Sequence, residues 1–462
     1  MTLVTLALAW VKQSPCLDGN WTGSKQYTHF CYSDTIPLWG IHGLSEGLVP
    51  YASAPVEYPV LTGWFMYAAN QLASSYNGVS AGAGLLPDLP GVQTYYVVTA
   101  LLLSLCMLVV TWSTALLSRR RIWDAAMVAL SPLLFVHAFT NWDLFAVALA
   151  AAGLLAWSRR HPVLAGVLLG LGAAAKLYPL LFLGPLLVLC LRSGRLREWG
   201  LAAGAALAAL MAVNVPVAVL YRENWSLFFT LNTTRPADPD TLWNIAVQLG
   251  ADFLNPAPSA AVGGQNAPAL LNVLTLASFA LVCVAIGVLG LRAERRPRLM
   301  QLVFLVVAGF LLTNKVWSPQ YSLWLLPLAV LALPRWKPIL IWQLTEAVLW
   351  VPRLLWYLGS DNNGIRVEWF LLAVTIRDVA VIALMCLVVR DALRPERDVV
   401  RRGGVDDPAG GILDGADDAF VLGPRPRRLT KPGPEERDVL GDPVGGSLAD
   451  DRGARLPDHR EQ

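Results

Sequence analysis

Apolar runs of membrane-crossing length, interrupted at every second interval by a cluster of arginines, constrain this chain more than any other feature. A helix crossing ~30 Å of hydrocarbon needs roughly 17–25 apolar residues. Candidate runs lie at 93–118, 122–139, 143–158, 162–176, 178–192, 199–221, 268–291, 299–314, 320–334, 338–357 and 367–389. Met1–Val11 adds about half a span and lacks the cationic start of a signal peptide. Eleven or twelve crossings are expected. Composition agrees, with 55% of residues hydrophobic and 15% charged, where soluble domains have roughly 45–50% and 25%. The 18 Trp residues suit interfacial belts. A net charge of only +3 argues against a nucleic-acid partner. The fold class expected is an all-α polytopic membrane protein in contact with membrane lipids.

Lys and Arg set the orientation. Clusters follow alternate spans at Arg119–Arg121, Arg159–Arg160, Arg192/Arg195/Arg197, Arg292/Arg295/Arg296/Arg298, Arg335/Lys337 and Arg390/Arg394/Arg397. The positive-inside bias makes these connections cytoplasmic, in a plasma membrane, together with the C-terminal segment. Residues 12–92, about 138–143, 222–267 and 358–366 then face the exterior. The membrane body, 93–390, carries the outer loop 222–267. Residues 391–462 hold 16 acids and 12 bases, are rich in Gly and Pro, and have few large apolar side chains. Such a segment buries too little surface to offset ordering entropy, so a disordered cytoplasmic tail is expected. Four cysteines lie in apolar runs, whereas Cys16 and Cys31 fall in the first outer loop. A disulfide between these two fits an oxidising exterior.

That 12–92 loop, behind a partial first helix at 1–11, is long enough to be functional. Two amphipathic stretches, 36–48 and 58–75, are expected to lie in or against the outer interface. Around them sit Tyr32-Ser33-Asp34, Glu46-Gly47-Leu48-Val49-Pro50-Tyr51 and Glu57-Tyr58-Pro59. A carboxylate partly desolvated beside aromatic rings has a raised pKa and can accept a hydroxyl proton, while the rings suit sugar faces. Glu46 can equally end a helix and Glu57 can pair with a loop cation. Lys176 and Lys315 close apolar runs at their outer ends, Arg235 lies in the large outer loop, and Arg353 is near the outer end of its span. Any one of them can simply snorkel to head groups; several on one face make an anion site. Asn141-Trp142-Asp143, His137 and Trp243-Asn244 are weaker candidates near the same plane. Arg377 and Asp378 are adjacent in the last span, with Glu346 in the one before; a packing pair Arg377–Glu346 is one reading. Asp34 with Glu57 would be the pair to hold a divalent ion. No P-loop, Rossmann fingerprint, HExxH or paired CxxC is present, so nothing indicates a nucleotide-sugar site.

Asp34 early in a long outer loop, the Gly47–Tyr51 and Glu57-Tyr58-Pro59 elements, Ala174-Ala175-Lys176-Leu177-Tyr178-Pro179 and Asn314-Lys315-Val316-Trp317-Ser318-Pro319-Gln320-Tyr321 follow one another in a recognisable order. Over roughly residues 30–335 they resemble the GT-C superfamily of polytopic glycosyltransferases, and within it glycosyltransferase family 87. One element departs from the pattern, reading EYPV where YPP is commoner. The resemblance implies a GT-C-like fold and a polyprenyl-phosphate sugar donor carrying mannose or arabinofuranose. It also implies a cell-envelope glycan or glycolipid acceptor, inverting transfer on the outer face, and no metal or other cofactor. Together with the residue readings above, it points to Asp34 as catalytic base, to Lys176 and Lys315, with Arg235 third, as ligands of the donor phosphate, and to Tyr51, Glu57, Tyr58, Trp243, Gln320 and Tyr321 as substrate contacts. The rival reading is a multi-spanning transporter or lipid flippase, which would show internal repeats and a midplane site.

Overall fold

The computed structural model describes residues 1–83, 87–254, 268–402 and 404–423, which are helical with no strand among them. A short α1 (Thr2–Gln13) leads into the first loop, which holds α2 (Lys25–Thr28) and α3 (Thr35–Ile41). α4 (Val60–Ala83) and α5 (Gly91–Ser118) follow. Next come α6 (Ala126–Ala129), α7 (Pro132–His137), α8 (Asp143–Ser158), α9 (Pro162–Ala175), α10 (Leu183–Arg192) and α11 (Leu196–Leu220). The second large loop holds α12 (Arg222–Thr234) and α13 (Leu242–Gln248). The remainder comprises α14 (Ala269–Arg292), α15 (Leu299–Thr313), α16 (Ser322–Ala332), α17 (Trp336–Leu358) and α18 (Val367–Leu393). Five of the helical runs are long and apolar enough to cross a membrane, and five shorter apolar helices accompany them.

Burial separates an inner set from an outer one. Nearly every residue of α15 and all of α16 are buried, which is why those segments are apolar all round. By contrast, α14 exposes Val273, Leu276, Leu281 and Val284, a row of apolar side chains suited to contact with lipid. Helices α9 and α11 meet through small residues. A Cβ built on Gly166 or Gly170 would lie 2.1 or 2.2 Å from the carbonyl oxygen of Ala202 or Ala206. Such close approach suits association in hydrocarbon, where small residues let backbones pack.

Most expected spans fall within a few residues of the observed helices, with three differences. The 122–139 run is not one helix. It breaks at Leu130, where Ser131 caps α7 by accepting the Leu133 amide and Pro132 occupies the first turn. The 58–75 stretch extends to a 24-residue helix, α4, that packs Met66, Ala69 and Ala73 against Tyr95 of α5 and Trp142.

The third difference concerns the tail. Disorder is expected from 391 onward, yet α18 runs to Leu393 and the described residues 395–402 and 404–423 include short 3-10 turns docked on the helices. Asp398 pairs with Arg298 at 2.7 Å, and both are 2% exposed. Asp418 meets Arg192 at 2.6 Å and Arg296 at 2.8 Å, Asp407 accepts the Leu299 amide at 2.7 Å, and Trp157 Nε1 donates to the Gly410 carbonyl. The core here is ionic, which an apolar count does not register. The rest of the expected tail, 424–462, lies outside the described residues.

In the membrane body Arg377 does meet Glu346, at 3.8 Å, but it bonds its neighbour Asp378 more closely, at 2.7 Å, and lies 3.6 Å from the Trp317 ring centroid. Adjacent positions therefore pair. Arg121, Arg192, Arg295, Arg298 and Arg335, from four of the six basic connections, bond one another's loops or the 395–423 segment. They converge on one end of the bundle. The alternate connections meet elsewhere and enclose a cavity.

Candidate active site

The cavity, about 430 Å³, is walled by the ends of segments far apart in sequence. Its floor is aromatic. Trp324 stacks on Tyr178 at 4.4 Å and on Tyr321 at 4.1 Å. Tyr32 is stacked against Tyr27 and tilted against Trp350, and Tyr27 stacks on Tyr357. Volume and lining suit a small ligand with both apolar and charged parts.

Asp34 sits at the N-terminus of α3 with its backbone fixed from the α7–α8 turn. Its amide donates to the Thr140 carbonyl at 2.8 Å. The neighbouring Ser33 hydroxyl donates to Phe139 O and Thr140 O. A disulfide joins Cys31, three residues earlier, to Cys16, with their Cα atoms 5.8 Å apart. The Asp34 carboxylate, half-buried, receives the Tyr32 hydroxyl at 2.9 Å. Burial pushes its pKa up to about 6, a rise restrained by the Tyr32 bond and by the charges of Arg353 and Lys176.

Three cations line the same cavity, and their pairing differs. Lys176 lies 3.1 Å from the buried Asp143, which also accepts Trp324 Nε1 at 3.2 Å. Its ammonium is ringed by Tyr58, Tyr321 and Trp324, 5.1, 4.7 and 5.9 Å from their centroids. Arg353, from α17, is paired with Asp240 at 2.8 Å. Arg235 also lines the cavity, yet among the described residues its guanidinium has no hydrogen-bond or ion-pair partner. Half-buried Asp238 shares its loop, and burial raises that carboxyl to about 6 against the opposing charge of Arg235.

The structure thus brings Asp34, Glu57, Tyr58, Lys176, Arg235, Gln320 and Tyr321 to one cavity. It does not bring Tyr51, Trp243 or Lys315 there. Tyr51 is buried beneath the loop, its hydroxyl donating to Tyr58 O and its carbonyl accepting Asn224 Nδ2. Trp243 Nε1 donates to Thr313 O. The Lys315 ammonium is spent on the carbonyls of Arg235 and Thr233, at 2.7 and 3.2 Å. Arg353, noted in the sequence among the outer-end cations but given no role, lines the cavity too, as do Tyr32, Asp238, Trp324 and Trp350. Asp143, one of the weaker candidates from the sequence, is the partner of Lys176. Among the described residues no group of three His, Cys, Asp or Glu side chains is arranged to hold a metal ion.

The profile of glycosyltransferase family 87 matches residues 81–319, just over half of the chain. The chain belongs to glycosyltransferase family 87. The matched stretch of this family 87 glycosyltransferase includes Lys176, Arg235, Asp238 and Lys315, while Asp34, Glu57 and Tyr58 precede it. No curated protein matches the sequence.

Proposed function

We propose that this glycosyltransferase moves mannose or arabinofuranose from a polyprenyl-phosphate donor to a cell-envelope glycan or glycolipid, with inversion, on the outer face of the plasma membrane. The observation that carries the reading is the presence of Asp34 and the unpaired Arg235 on one cavity. Asp34, with its pKa near 6, is largely ionised at neutral pH and still basic enough to take a hydroxyl proton in the transition state. The acceptor oxygen forms a bond to the anomeric carbon, its proton passes to Asp34, and the bond from that carbon to the phosphate oxygen breaks. The electron pair leaves with the polyprenyl phosphate.

Charge grows on that leaving group, and a preorganised cation there lowers the barrier. Arg235 is suited to the task because, among the described residues, no carboxylate is ion-paired with it, Asp238 on the same loop acting only as a more distant opposing charge, and its planar fork matches phosphate oxygens. Lys176 supplies a second positive charge, partly balanced by Asp143. Tyr58, Tyr321 and Gln320 are placed to contact the sugar, with Glu57 as a second acceptor of hydroxyl hydrogen bonds. The outward orientation rests on the arginine alternation together with the Cys16–Cys31 disulfide.

Membranes bearing the protein, incubated with radiolabelled polyprenyl-phosphate mannose or arabinofuranose, test the reading. Transfer of one label, lost in Asp34→Asn and greatly reduced in Arg235→Gln at unchanged protein level, is the expected result. An Asp34→Asn enzyme retaining a tenth of the wild-type rate removes Asp34 from the role.

A further inference from the structure

Lys315 does more than close a helix. α12 ends at Thr234, and the carbonyls of its last turn have no partner further along the helix. The Lys315 ammonium supplies one, donating to Arg235 O at 2.7 Å and Thr233 O at 3.2 Å. Asn272 Nδ2 adds a bond to Thr233 O at 2.9 Å. A cation at a helix C-terminus is also favoured by the helix dipole. On its other side, the Lys315 carbonyl accepts the Asp238 amide at 2.8 Å. A single residue therefore grips the chain on both sides of the stretch 235–238, the stretch that delivers Arg235 and Asp238 to the cavity wall. Pro236 stiffens it further, holding Arg235 in an extended conformation with φ −60° and ψ 132°. Lys315 itself faces a separate groove of about 160 Å³, beside Asn272 and Thr275.

We infer that Lys315 is a positioning residue: it caps α12 and fixes Arg235 at the cavity, governing affinity for the lipid-linked phosphate without touching it. This rests on the reading of Arg235 as the phosphate ligand. A direct phosphate ligand and a positioning residue leave different signatures in a double-mutant cycle. Two independent ligands have effects that multiply, whereas a residue acting through Arg235 has nothing left to act on once Arg235 is gone.

The probe is a polyprenyl monophosphate without sugar, and the measurement is its Kd for the full-length protein in detergent, followed by tryptophan fluorescence. Arg235→Gln is expected to weaken binding by roughly tenfold or more, the worth of one charge-assisted contact. Lys315→Met should weaken it severalfold, and Lys315→Arg, which keeps a cation for the two carbonyls, should recover most of that loss. The double variant Arg235→Gln/Lys315→Met should bind no worse than Arg235→Gln alone. A double variant weaker by the full Lys315→Met factor overturns the inference and makes Lys315 a ligand in its own right. Wild-type binding by Lys315→Met overturns it as well. If Lys315→Met does not fold, Lys315→Gln, which retains one donor, completes the same cycle. Wild-type affinity in Arg235→Gln defeats the phosphate-ligand reading and the inference together, whereas additivity defeats the inference alone. The role of Asp34 is scored separately, by transfer, since Asp34→Asn leaves the cationic wall intact.

Discussion

The Tyr32 hydroxyl donates to Asp34 Oδ1 at 2.9 Å, and this bond opposes the burial that lifts the Asp34 pKa to about 6. A base must be ionised to work. With a folded-state pKa near 6, transfer should fall as pH drops through that value and level off above it. Tyr32→Phe removes a donor that favours the ionised form, so the acid limb should move to higher pH. The plateau rate should change far less than in Asp34→Asn. A pH–rate profile of the two proteins in membranes checks this; an unmoved limb would separate the limb from Asp34.

Lys176 and Asp143 form the second linked pair, 3.1 Å apart, with Asp143 2% exposed. Removing one member of a buried pair strands the other's charge, at a cost of about 3–5 kcal/mol. Asp143→Leu should therefore lower the melting temperature more than the double variant Asp143→Leu/Lys176→Met. The double variant should still transfer poorly, because it lacks the second positive charge at the cavity. Melting curves in detergent and transfer assays on the same preparations distinguish the two effects. Equal melting temperatures for single and double variants would count against the pairing.

The two lysines show where a sequence stops being informative. Each ends an apolar run, after Ala173-Ala174-Ala175 in one case and Leu311-Leu312-Thr313-Asn314 in the other, and nothing local tells them apart. What differs is the company brought by distant segments. Tyr58, Tyr321 and Trp324 build a ring around Lys176, and Asp143 supplies its counter-charge. The last turn of α12, some 80 positions earlier, claims Lys315. Helix positions, by contrast, were readable because hydrocarbon demands continuous apolar stretches: α8 runs Asp143–Ser158, as the sequence implies. The 122–139 run failed on a local cue, Ser131-Pro132, outweighed by the apolar residues around it. The 395–423 segment failed because its anchor is a set of buried arginines, and burial of Arg192 or Arg298 depends on carboxylates 100 or more positions away.

The disulfide at Cys16–Cys31 closes a 16-residue loop whose last cysteine adjoins Tyr32. A bridge over a loop of this length contributes about 3 kcal/mol in the chain-entropy account. Cys16→Ala/Cys31→Ala should lower the melting temperature, and it should also reduce transfer, since the Tyr32–Asp34 stretch loses one of its two anchors. The other anchor, the bonds of Ser33 and Asp34 to Phe139 and Thr140, keeps the loop in place. Partial activity is therefore expected, in contrast to the complete loss in Asp34→Asn. A labelled-donor assay on both proteins, normalised to folded protein, makes the comparison.

Residues 395–423 carry the last prediction, which concerns stability rather than chemistry. Asp398 and Arg298 lie at 2.7 Å with both side chains buried, and Arg298 also donates to the carbonyls of Leu331 and Ala332 at the end of α16. Asp398→Ala leaves that guanidinium two carbonyl partners and only the more distant Asp407 as counter-charge, which should cost up to about 3–5 kcal/mol. Asp398→Leu/Arg298→Met replaces both charges with apolar groups and should recover a good part of the loss, because an ion pair buried at such expense contributes little net stability over a packed apolar pair. The wall proposed to bind phosphate is built from other residues, so the affinity of folded Asp398→Ala protein for polyprenyl phosphate should equal that of wild type. Thermal melting of the single and double variants, with the Kd of each measured below its transition, tests both halves. A single variant that melts with wild type would show that the segment merely rests on the bundle.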